Sequence, residues 1–240
     1  MQRQIALIQA WLDTARGRAL RAIESQLIGE ALQDVFGWEL VQVGGWGDSH
    51  ELIRAGRTRR QIEICAPGAT PPGDVSARLA QLPLASDAVD AVLLPHTLEF
   101  EADPHGLLRE VDRVLTGEGQ LLILGFRPLS LWGLRAAVAR EGYPPGLRQV
   151  LSERRIRDWL VLLGYDVAPP RHYLHEWPWG QPRVAGGSLK RGLLNPLPAG
   201  AWLLRARKRV YAVPSIRLKL RERARVMGGL VKPAANRDGN

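Results

Sequence analysis

An α/β fold, a mostly parallel sheet covered by helices on both faces, is the architecture that this 240-residue chain predicts. Three observations lead there. Short apolar runs recur at residues 38–43 (WELVQV), 59–65 (RRQIEIC), 88–94 (AVDAVLL) and 119–126 (GQLLILGF). The run at 88–94 is compact and barely alternates, as in a strand buried on both faces. Segments with helical spacing lie among these runs, and Gly or Pro punctuates the junctions.

The elements follow in order. In residues 14–36 the apolar side chains Leu20, Ile23, Leu27, Ala31 and Val35 recur at helical spacing, and Gly37 is the stop. The first strand then runs into Gly44, Gly45 and Gly47, with Trp46 between the last two. The alternation asks for a helix before the second strand at 59–65, which leads into a loop dense in Pro and Gly, residues 66–74. Pro95 and His96 end the strand at 88–94. Asp103 followed by Pro104 is a helix start, an N-cap acid with proline in the first turn. That helix buries Leu107, Leu108, Val111 and Leu115 and ends at Gly117. After the strand at 119–126, helices are expected from about Leu129 and from the Ser152 cap to Gly164. Residues 165–174 and 201–209 read as two late strands, joined by a Trp-, Pro- and Gly-rich lid loop over 175–200. The organisation is an N-terminal helical segment (1–38), one domain (39–210) and a tail (211–240) expected to be largely disordered.

Composition narrows the function classes. Cys65 is the single cysteine, so no disulfide framework or cysteine-based metal site is available, and no metal is expected. The N-terminus lacks a signal-peptide pattern and no apolar run approaches a membrane span, so the expectation is a cytoplasmic protein with no transmembrane segment. The net charge of +9 is uneven. Residues 183–240 hold 14 Lys and Arg against two acids, while the rest of the chain is slightly acidic. The basic tail therefore reads either as a contact for nucleic acid or an anionic membrane, or as a solvated extension.

Residues 79–126 carry the specific signal. Leu82-Pro83-Leu84, Asp90, the helix core Arg109-Glu110-Val111-Asp112-Arg113-Val114-Leu115, the turn at Gly117 and Gly119 and the strand Gln120 to Gly125 follow one another in an ordered series. This series resembles the class I S-adenosylmethionine-dependent methyltransferases, in the group called type 11. The resemblance implies a Rossmann-like, mostly parallel seven-stranded sheet with an antiparallel last strand. It implies S-adenosylmethionine as cofactor and methyl transfer to an acceptor, here a small molecule not named by the sequence. By the same resemblance the cofactor is expected at Gly44, Gly45, Trp46, Gly47 and Asp48, at Glu63, at Gln81 and Leu82, and at Pro95 and His96. His96 and Glu99 are the catalytic candidates, His96 as a general base because its ordinary pKa lies near neutrality, or as a histidine that satisfies loop carbonyls.

Three positions depart from the family pattern. Gln42 stands where an acid precedes the glycine loop, Trp46 where a glycine is expected, and Arg78 where an acid approaches the adenine. Glu63 lies two residues before the position that holds the ribose. Two functions therefore stand side by side: a methyltransferase with a modified cofactor site, and a non-catalytic methyltransferase-like protein that binds a protein, nucleic acid or anionic surface. His105 in a first helical turn reads as structural, and Asp90 as a hydrogen-bonding group at a strand start. His172, His175, Trp177 and Trp179 read either as a roof over an apolar substrate or as packing in a lid loop or dimer contact.

Overall fold

The computed structural model describes residues 2–69, 71–179 and 197–209. Helices α1 (Gln2–Leu12) and α2 (Ala15–Ala31) come first, followed by a short 3-10 turn. Thr14 caps α2 by accepting the Gly17 N–H. The strands are β1 (Glu39–Val43), β2 (Arg60–Cys65), β3 (Val75–Ser76), β4 (Val89–Pro95), β5 (Leu115–Phe126), β6 (Tyr165–Val167), β7 (Arg171–Tyr173) and β8 (Ala201–Lys208). Between them lie α3 (Thr97–Phe100), α4 (Pro104–Val114), α5 (Leu131–Val138) and α6 (Glu153–Leu162). As expected, Asp103 caps α4 through the Gly106 N–H, and Ser152 caps α6.

The sheet runs β3-β2-β1-β4-β5-β8-β6, parallel from β3 to β5 and antiparallel at β8. Alternate residues of the central strands go to opposite faces. Leu40, Ala91, Leu93, Leu122 and Leu124 join one buried cluster with α1 and α2. Val41, Val92, Leu94, Leu121 and Ile123 join the other, with α4 and α6. Both faces are covered, which is why these strands read as continuous apolar runs. Helices α1 and α2 thus share a core with the sheet, in a compact unit spanning residues 1–210.

Two expectations change. The connection from β1 to β2, residues 44–59, is a series of turns and not a helix; the covering helix on that face is α2, supplied from before β1. The single strand expected over 165–174 is two. Pro169 and Pro170 have no N–H for the ladder, so β6 and β7 pair separately with β8. The sheet has eight strands in consequence. The basic tail and most of the lid loop fall outside the described residues.

Leu122 is fully buried in β5 between β4 and β8, whereas Leu162 is 85% exposed at the end of α6. Leu122→Ala is expected to cost about 2–5 kcal/mol in chemical denaturation. Leu162→Ala is expected to change stability by less than about 0.5 kcal/mol.

Candidate functional site

The chain winds outward from β1 to β2 and β3, then crosses back to β4, so strand order reverses between β1 and β4. Loops leaving the carboxyl ends of two such strands part and leave a crevice. A cavity of about 200 Å³ lies there. Gly44 and Gly45 line it after β1, Ala66 and Ala69 after β2, and Pro95 and Thr97 at the end of β4. Phe100, Glu101, Ala102 and Arg148 form one wall, Ile8 and Gln9 of α1 another, and Leu79 completes it.

Gly44 has φ +98°, and a Cβ there would lie 2.6 Å from Thr97 Oγ1. Only glycine fits that conformation and that approach. The Thr97 hydroxyl donates to the Val43 carbonyl at 2.5 Å, fastening the exit of β4 to the end of β1. Backbone alone therefore forms the cavity wall at Gly44.

Trp46 points the other way. Its ring is buried and its Nε1–H donates to Glu24 of α2 at 2.6 Å. Glu24, itself fully buried, also accepts from the Tyr173 hydroxyl and from His96 Nε2, each at 2.8 Å. His96 Nδ1 meets Glu99 at 2.9 Å, and the second oxygen of Glu99 accepts the Phe126 N–H at 2.8 Å. The imidazole lies between the Trp46 ring, 4.4 Å away, and the Phe126 ring, 4.1 Å away. Burial alone would lower the His96 pKa, but the carboxyls of Glu24 and Glu99 reverse this and raise it to about 9. Two carboxyl groups facing the two ring nitrogens favour the charged imidazolium, which donates from both. Burial pushes the Glu99 carboxyl up, and burial beside Glu24 holds the Tyr173 phenol well above its ordinary value.

The expected site residues separate accordingly. Gly44, Gly45 and Pro95 line the cavity. His96 and Glu99 do not reach it: both are buried, and both nitrogens of His96 are engaged, so His96 is not available as a base. Trp46 is a core residue. Asp48 is bound to Arg21 at 2.5 Å on the exposed side of the loop, with Gly47 packed over the same arginine. Glu63 braces the loop from below, accepting from Gln42 at 2.9 Å, Ser49 at 2.9 Å and the His50 N–H at 3.1 Å. Gln81 is exposed, and the Leu82 N–H is given to Glu110 at 2.8 Å. Arg78 is exposed.

The remaining groups fall into structural places. Asp90 accepts the Trp38 and Glu39 N–H groups at the start of β1. His105 packs on Trp159, and His172 bonds Glu153 at 2.6 Å. His175 bonds the Leu197 carbonyl at 3.0 Å, and Trp177 and Trp179 lie 5.3 Å apart, both partly exposed. Sequence reasoning missed Ile8, Gln9, Glu101, Arg148, Glu24 and Tyr173. Glu24 had a signal: it sits among Leu20, Leu27 and Ile28 on the buried stripe of α2, where an acid needs partners.

Comparison with known proteins agrees with this architecture. A family model described as a methyltransferase domain matches residues 47–123. An uncharacterised Escherichia coli protein, YafS, is 35% identical over 202 residues, covering 83% of this chain and 80% of that one. Among solved structures, a chain from the complex of the Haloferax volcanii Trm112 methyltransferase activator superposes with a TM-score of 0.59, at 16% identity over 84% of this chain and 95% of that one. An S-adenosylmethionine-dependent methyltransferase from Archaeoglobus fulgidus gives 0.55, at 13% identity over 77% and 94%.

The charge on His96 makes stability depend on pH. Its pKa is raised from about 6.5 unfolded to about 9 folded. Its contribution is complete below about pH 6.5, declines as pH rises through 9, and amounts to roughly 3 kcal/mol at most. Asn tolerates the left-handed backbone of His96, φ 57°. Urea denaturation should show a fall in stability between pH 6.5 and 9 that is absent in His96→Asn. Equal slopes in the two proteins would refute the imidazolium.

Proposed function

Since the chain belongs to the class I S-adenosylmethionine-dependent methyltransferases, in the type 11 group, we propose that it methylates a small-molecule acceptor held in the cavity beyond β1 and β4. The observation that carries this reading is the cavity itself, at the reversal of strand order, with backbone at Gly44 and Gly45 as its wall. The lining fits the cofactor. Gly44 and Gly45 admit close approach, Ala66 and Leu79 offer apolar surface for a base, and Glu101 and Arg148 are the charged residues of the wall. A zwitterionic amino-acid group is matched by that pair, which takes over from the acid that Gln42 replaces. When bound, the cofactor supplies an electrophilic sulfonium methyl; the protein contributes orientation and charge.

Burial raises the Glu101 carboxyl, and the nearby Arg148 lowers it in part. The cavity volume lies below the ~300–1,000 Å³ usual for ligand pockets, so a nucleoside-sized ligand extends beyond it.

A second reading rests on a specific observation. Gln42 is fully buried, replaces an acid, and has an Oε1 without a hydrogen-bond partner; with Asp48 and Glu63 engaged elsewhere, the fold would serve as a non-catalytic binding protein.

Calorimetric titration with S-adenosylmethionine and S-adenosylhomocysteine separates the two. Binding is expected for the native chain, and about tenfold weaker binding for Glu101→Gln, the loss of one charged hydrogen bond. A Cβ on Gly45 would lie 3.3 Å from Cys65 Sγ and 4.0 Å from Gln9 Nε2. Gly45→Leu should therefore fill the wall and abolish binding. No binding of either compound at millimolar concentration would leave the non-catalytic reading standing.

A further inference from the structure

The opposite end of the sheet, where β1 and β2 begin, carries an arrangement that methyl transfer does not use. Two short alternations precede these strands, Phe36-Gly37-Trp38 and Arg57-Thr58-Arg59. Glu39 is in register with Arg60, and the pairing continues outward: the Arg60 N–H donates to the Trp38 carbonyl at 2.8 Å and the Arg59 N–H to that of Gly37 at 3.2 Å. Arg57 lies over Phe36, 5.8 Å from the ring centre, and Arg59 over Trp38, 4.4 Å from it. The result is two aromatic–guanidinium pairs at the entry to β1 and β2.

These rings are open. Phe36 is 65% exposed and Trp38 66% exposed. Arg54, Arg57, Arg59 and Arg60 are all exposed as well. The acids alongside are occupied: Glu39 meets Arg60 at 3.2 Å, and Asp90 accepts the Trp38 and Glu39 N–H groups. Open ring faces want flat partners, and exposed guanidiniums want anions. A single-stranded nucleic acid offers both, in bases with exposed π-faces and a phosphate at every nucleotide. A duplex hides its base faces, and an acidic peptide has charge without rings.

We propose that Phe36–Arg57 and Trp38–Arg59 form a stacking platform for neighbouring bases of a single-stranded nucleic acid, with the exposed Arg54 serving its phosphates. The platform lies at the other end of the strands from the cavity and does not depend on methyl transfer.

The test is fluorescence anisotropy of the full chain with a labelled oligouridylate 12-mer, a duplex of equal length, and polyglutamate. The single strand is expected to bind tightest. Phe36→Ala/Trp38→Ala should weaken that binding at least about tenfold, from lost stacking. Arg57→Ser/Arg59→Ser should weaken it and flatten its salt dependence. Melting temperatures close to that of the native chain show that the variants are folded, since all four side chains are exposed. Undiminished binding in the aromatic variant, equal affinity for the duplex, or a preference for polyglutamate would each overturn the proposal.

Discussion

The buried imidazolium of His96, gripped by Glu24 and Glu99, is the interaction on which the site depends. A charge placed out of water is costly unless paired and hydrogen-bonded. Here every donor around it has a carboxylate oxygen to meet. The cluster joins five parts of the chain: α2 through Glu24, the glycine loop through Trp46, the exit of β4 through His96, α3 through Glu99 and β7 through Tyr173. Its influence reaches the cavity by short steps. Thr97, next to His96, fixes Gly44 against β4. The Glu99 carbonyl accepts the N–H groups of Arg148 and Gln149 and so positions the cationic wall.

Trp46 takes its meaning from this cluster. At a family glycine position a tryptophan looks like an obstruction of the cofactor loop. Its ring is instead turned under α2, and the cavity wall is left to Gly44 and Gly45. The loop has exchanged flexibility for anchorage. Arg21 of α2 does the same on the outer side, holding Asp48 and Glu51. Charged groups that other arrangements would direct at a ligand are here spent on bracing the loop, and the wall's own charge comes from Glu101 and Arg148.

Much of the fold was legible in the sequence because apolar runs and caps are local signals. The central strands and the α4 cap at Asp103 needed only period and punctuation, whereas the antiparallel last strand was expected from the family resemblance. The site was less so. Gly44, Gly45 and Pro95 follow from topology, since they end the strands beside the reversal. Glu101, Arg148, Ile8 and Gln9 come together from loops and from α1, with no pattern of their own. His96 kept two readings because a histidine after a strand looks the same whether it faces a ligand or two buried acids. What distinguishes the cases is Glu24, 72 residues away in the chain.

The edges of the sheet repay a last look. At one margin β3 is two residues long; at the other, Pro169 and Pro170 divide the pairing with β8 into pieces of three. Free edges are where one molecule recruits the next, through rows of unsatisfied N–H and C=O groups. Among the described residues, the strands at both margins are only two or three residues long. The prolines that cost the molecule a continuous strand therefore keep that edge short, which disfavours edge-to-edge aggregation.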